Sequence, residues 1–104
     1  MIEYKLTGGA VYGNLRGGGA GAYPCEKKDG FDTKEDLLKW AEAELKSGGL
    51  DSGMGFECLV GALLIISKVQ EFEVEGKVFS NVEIEYTEIG ELSEGQKSFL
   101  YDNI

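Results

Sequence analysis

The sequence contains no histidine, a single arginine (Arg16), a single proline (Pro24) and two cysteines. Each shortage excludes something. Without histidine there is no imidazole for acid–base work near neutral pH, and the commonest transition-metal ligand is missing. Cys25 and Cys58 belong to no C-x-x-C motif, and two cysteines without histidine do not make a zinc site. They are expected to be reduced, partly buried thiols of a cytoplasmic protein. Basic residues are few: 10 Lys+Arg stand against 19 Asp+Glu, a net charge of −9. A chain this acidic lacks the basic patch that direct nucleic-acid or anionic-membrane binding needs. Long apolar runs are absent too. The longest, Leu59 to Ile66, falls well short of the roughly 20 residues of a membrane-spanning helix. Met1 to Leu6 carries no basic segment followed by an apolar one, so no secretory signal is expected.

What remains is a 104-residue chain with 42% hydrophobic residues and 16 glycines. That length suits one domain, residues 1–104, with enough apolar content for a core.

Periodicity divides the chain. Residues 2–7 alternate apolar and polar, which predicts a half-buried strand with Ile2, Tyr4 and Leu6 on one face. Gly8-Gly9 is expected to break it, and Ala10-Val11-Tyr12 to start a second short strand. Residues 13–22 are glycine-dense and predict a mobile loop.

A helix is predicted over 33–47. Asp32 and Glu35 have capping-box spacing, with Thr33 and Asp36 a weaker version of the pattern. Leu37, Leu38, Ala41 and Leu45 share a face, and Gly48-Gly49 ends it. The apolar run over 56–68 suits either a buried strand or a buried helix. Helix over 55–67 is favoured, because the segment after it, from Val69, reads as the start of a separate strand.

From Val69 the alternation predicts an antiparallel hairpin over 69–75 and 77–88, turning at Gly76, with Ser80-Asn81 as a candidate bulge. Ser93 and Gln96 repeat the capping-box spacing before a short C-terminal helix.

The fold class expected is α+β: a small antiparallel sheet packed against one principal helix, with one or two further helical segments. The sheet's apolar face is read as Ile2, Tyr4, Leu6, Phe72, Val74, Val82, Ile84 and Tyr86, meeting Leu37, Leu38, Ala41 and Leu45.

The charge is uneven. Residues 1–34 are nearly neutral, whereas residues 70–104 carry two lysines against nine acids, a net of −7. At strand spacing, side chains two residues apart share a face about 6.6 Å apart. Glu71, Glu73 and Glu75 form one row on this reading. Glu83 and Glu85 form a second row on the neighbouring strand, with Glu88 beyond it. Two adjacent rows predict a single acidic patch that would attract a basic protein partner. At the other end, Arg16 sits between Tyr12 and Tyr23 in a glycine-rich setting, and Arg and Tyr are common interface anchors.

Other chemistries are poorly served. Gly17 to Ala22 satisfies G-x-G-x-x-A, but no helix start follows at Pro24-Cys25, and no G-K-[ST] follows either. No D-x-[DN]-x-[DN]-G loop is present for calcium. Cys25 and Cys58 lack a histidine partner, and Lys27-Lys28 near Cys25 is only a mildly electropositive setting, so no nucleophile is evident. No cofactor is expected, and an enzyme is not.

In size and charge the chain resembles small acidic inhibitors encoded by phages and mobile elements, such as anti-CRISPR and anti-restriction proteins that mimic DNA. Toxin-neutralising immunity proteins have a similar profile. The resemblance is one of composition. It implies a non-enzymatic protein that occludes a basic surface on its partner, such as a nuclease or nucleic-acid-binding complex. The alternative expectation is a structural or assembly protein that oligomerises through its sheet edge.

Overall fold

The computed structural model describes residues 1–14, 20–51 and 58–104. Its elements run β1 (Ile2–Asn14), β2 (Ala20–Pro24), β3 (Lys28–Phe31), α1 (Lys34–Ser47), β4 (Cys58–Val74), β5 (Lys77–Gly90) and α2 (Glu94–Asn103). All pairings are antiparallel, in the order β2-β1-β4-β5, with β3 also pairing with β1. The α+β class expected from the sequence is what forms: one sheet, one principal helix and one shorter helix.

The main departure is β4. The stretch favoured as helix over 55–67 is a strand from Cys58 onward, continuous with the strand expected at 69–75. The reason is its place in the sheet. β4 lies between β1 and β5, so Ala62 to Leu64 and Ile66 are buried on both faces at once. A central strand of this kind is apolar throughout and shows no alternation to separate it from a helix.

The second departure is β1, which Gly8-Gly9 does not break. It runs 13 residues with a register shift between Leu6 and Gly8, so the glycines mark a bulge. Gly9 has φ of 132°, and an added Cβ there would strike the Leu63 carbonyl of β4. Thr7 at the bulge donates its hydroxyl to the Ile65 carbonyl (3.2 Å).

Ser80-Asn81 forms no bulge, because pairing is unbroken from Gly61 with Gly90 to Val74 with Lys77. Gly13 and Ala20 to Ala22, expected in a loop, lie in paired strands; Arg16 falls outside the described residues. β3 was not foreseen at all: Lys28 to Phe31 holds one apolar residue, Phe31, in an otherwise exposed edge segment.

Cross-strand neighbours share a face, so the registers sort every side chain. One face carries Leu6, Val11, Ala62, Leu64, Ile66 and Ile89, and α1 covers it with Leu37, Ala41 and Leu45; Cys25 and Leu50 complete this core. The cap of α1 is Thr33, whose hydroxyl accepts from the Asp36 amide at 3.1 Å. The weaker of the two spacings is therefore the one used, because Thr33 has extended backbone (φ −134°) and Asp32 lies one residue further out. Gly48, at φ 80°, ends the helix.

The opposite face carries Leu63, covered by α2. Leu100 of α2 is fully buried there, and Phe99 meets Tyr12 edge to face at 6.3 Å. Ser93 and Gln96 close a full capping box.

The apolar face read from the sequence is only partly right. Leu6 is buried and Tyr4 packs against the core, but Phe72, Val74, Val82, Ile84 and Tyr86 are all at least half exposed. Phe72 and Val74 share the α1 face but stand further out along the hairpin, past the last residue of β1, whereas Val82, Ile84 and Tyr86 lie on the opposite face, away from α1. The molecule is correspondingly long, 59 × 25 × 19 Å, with a radius of gyration of 15.4 Å. About 13 Å is usual for a compact chain of this length.

Candidate functional site

The feature that lengthens the molecule is the β4–β5 hairpin. β1 pairs with β4 only as far as Ile2 opposite Gln70, with Met1 and Glu71 joined by backbone hydrogen bonds. Beyond that point, from Glu71 to Ser80, the sheet is two strands wide among the described residues; nearer the base Glu85 meets Lys34 of α1, and Tyr86 meets Tyr101 of α2 at 6.3 Å. Every side chain from Glu71 to Tyr86 is exposed. At the tip Glu75 and Gly76 have φ of 51° and 78°, the paired positive values of a tight hairpin turn. Phe72 and Phe79 stack across the strands at 5.7 Å.

The ladder decides where the predicted acidic residues stand. Glu71 opposes Ser80 and Glu73 opposes Val78, on the face that also carries Val82, Ile84 and Tyr86. Glu83 opposes Lys68 and Glu85 opposes Ile66, on the other face, with Phe72 and Phe79. The two rows therefore do not form one patch. The spacing within each row was read correctly; the register between rows cannot be read from spacing, and a shift of one residue exchanges the faces.

The rows also differ in how they are neutralised. Glu85 is ion-paired with Lys34 of α1. Glu88 is bound by Lys97 at 3.3 Å and accepts from the Tyr101 hydroxyl at 3.2 Å. That contact raises the Lys97 pKa, through the hydrogen bond and charge of Glu88 and then the charge of Glu94. The Tyr101 pKa is raised by desolvation and then by the same carboxylate. Among the described ion pairs none includes Glu71, Glu73, Glu75 or Glu83. Glu88 thus fastens α2 to the sheet, while the acids nearer the tip face solvent.

The three residues expected to form a second contact are not gathered. Tyr12 lies under Phe99 on the α2 side. Tyr23 opposes Val11 and so lies on the α1 side. Arg16 is outside the described residues.

Cys25 is 4% exposed, and burial pushes its thiol from 9.0 up to about 12, which leaves it protonated and inert. No cluster of metal-ligating side chains occurs among the described residues. A surface cleft of about 380 Å³ beside the β1 bulge is lined by Lys5, Leu6, Thr7, Lys27, Lys28 and Asp29. Lys28 rests over the Trp40 ring at 4.8 Å. Among the described residues no helix is long and apolar enough to cross a membrane.

Sequence reasoning missed the exposed apolar side chains of the hairpin. Its alternation is two-sided, with Phe72, Val74 and Phe79 on one face and Val82, Ile84 and Tyr86 on the other. The signal was present: a strand pair apolar on both faces at its far end needs cover on both.

Comparison with known protein families, with curated proteins and with solved structures finds no match.

Proposed function

We propose that the protein is a non-enzymatic binding protein that acts in the cytoplasm and inserts its β4–β5 hairpin into a basic cleft of a partner protein. The observation that carries this reading is the unbroken exposure from Glu71 to Tyr86, seven large apolar side chains included. Contiguous exposed apolar surface rimmed by charge is what interaction sites look like. Residues 71–88 hold six glutamates, Glu71, Glu73, Glu75, Glu83, Glu85 and Glu88, against one lysine, Lys77. With acids on both faces, it is better suited to a cleft with two basic walls than to one flat basic surface. A groove that normally holds nucleic acid has that form, and an acidic blade seated in it would occlude it. The anti-CRISPR and anti-restriction inhibitors act on complexes of this class.

The test is capture of a partner from nuclease-treated host lysate by the immobilised protein and by a variant with Glu71, Glu73, Glu83 and Glu85 changed to Lys. The reading expects a protein retained by the first, released by salt, and absent from the second. Equal retention by both would remove the hairpin from binding.

A further inference from the structure

We propose that β5 pairs with β5 of a second copy of this chain, antiparallel, about a two-fold axis at Asn81. This goes beyond the partner-binding reading, since its backbone pairing uses the strand's outer edge; Glu85 is the one acid with a part in both.

Among the described residues β5 ends the sheet, and no strand pairs with its outer edge. It is 14 residues long and contains neither proline nor bulge. Those are two of the devices by which natural edge strands avoid pairing. Charge is the device left, and its arrangement favours one partner. The cation, Lys77, opens the strand, and the anions, Glu83, Glu85 and Glu88, close it. Antiparallel self-pairing sets the two ends against each other; parallel self-pairing would set like on like.

Registers can be compared directly. Centred at Asn81, Lys77 opposes Glu85 at both ends, Val78 opposes Ile84, Ser80 opposes Val82, and Phe79 opposes Glu83. Centred at Val82, Lys77 loses its acid to Thr87. Centred at Glu83 or Ile84, glutamates face one another, which is destabilising. Centred at Ser80, Lys77 meets Glu83 but the overlap is shorter. The Asn81 centre is thus the longest overlap that matches the lysine with an acid. It also sets side by side Val78 and Ile84, 68% and 61% exposed in the single chain. Among the described ion pairs Lys77 has none. Glu85, already beside Lys34, would sit between two cations.

Two measurements test this. The first is disulfide trapping under mild oxidation. Asn81→Cys places the two sulfurs on directly opposed residues, where Cα atoms lie about 4.5–5.5 Å apart and a disulfide fits. Glu83→Cys leaves its two copies four residues out of step, about 13 Å, beyond reach. The proposal expects rapid dimer from Asn81→Cys, and little from Glu83→Cys or the parent chain. Equal trapping at both positions overturns the register, and trapping at neither overturns the pairing. The second is sedimentation equilibrium over a concentration series. Lys77→Glu and Glu85→Lys should each weaken the dimer about tenfold, and the double variant should restore it. A monomer at every concentration, or a double variant no better than the singles, overturns it. Capture of a heterologous partner is read separately, so either result leaves the cleft reading standing or falling on its own test.

Discussion

Leu6 and Val11 point to the same face of β1 although they stand five positions apart. In an unbroken strand an odd spacing puts two side chains on opposite faces. The bulge between Leu6 and Gly8 inserts the extra residue that restores them to one side, and both are buried in the core, at 1% and 0% exposure. The glycine pair is therefore the hinge on which the core's membership depends.

Gly9→Ala is expected to destabilise the fold by about 2 kcal/mol or more, because it combines a positive φ with a collision against the β4 backbone. Urea unfolding reads it as a lowered midpoint at unchanged slope. A change within about 0.5 kcal/mol would mean that β1 does not lie against β4 in this register.

Much of the fold was legible because it is local. The helix at 33–47, the turn at Gly76 and the Ser93–Gln96 box each depend on residues within a few positions of one another. What was not legible depends on pairing. The face on which Glu83 stands is set by its meeting Lys68, fifteen residues away, and nothing in the spacing of Glu83 and Glu85 contains that. β4 failed for the complementary reason: being covered on both sides erases the alternation that names a strand. The spacing within each acidic row was thus legible, and the assembly of the two rows into one patch was not correct.

The tip offers a gain in stability. Glu75 holds φ of 51°, a conformation costing about 1 kcal/mol for an ordinary side chain and less for asparagine. Glu75→Asn should stabilise the protein by about 0.5 kcal/mol, seen as a raised Tm. A fall in Tm would place the turn in a different geometry.

The caps of the two helices are separable. Ser93→Ala and Thr33→Ala should each cost about 1 kcal/mol. The Ser93 change should also loosen the tie of α2 to the sheet, visible as faster amide exchange over 94–103 and not over 34–47. Uniform loss across both helices would contradict their packing on opposite faces.

Cys25 predicts both a reactivity and a pH dependence. In a Cys58→Ser background, the Cys25 thiol should react with an aromatic disulfide reagent roughly a hundredfold more slowly than after unfolding. Its folded pKa of about 12 stands above the ordinary 9.0. Below pH 9 both states keep the proton and this group adds no slope. Above pH 9 the unfolded chain releases it first, so stability falls as pH rises towards 12. Cys25→Ala should abolish that component while lowering stability at neutral pH through the lost packing.

The central claim is that the hairpin binds with both faces, and paired charge reversals test it most directly. Glu71→Lys with Glu73→Lys alters the face bearing Val82 and Ile84; Glu83→Lys with Glu85→Lys alters the face bearing Phe72 and Phe79. Each pair, with the matching glutamine pair as a milder version and thermal unfolding to confirm the fold, is measured for affinity to the captured partner over a range of salt. The account predicts that each pair weakens binding, by about tenfold or more, and lowers its salt dependence. Full affinity retained by either face's variant would contradict insertion into a two-walled basic cleft.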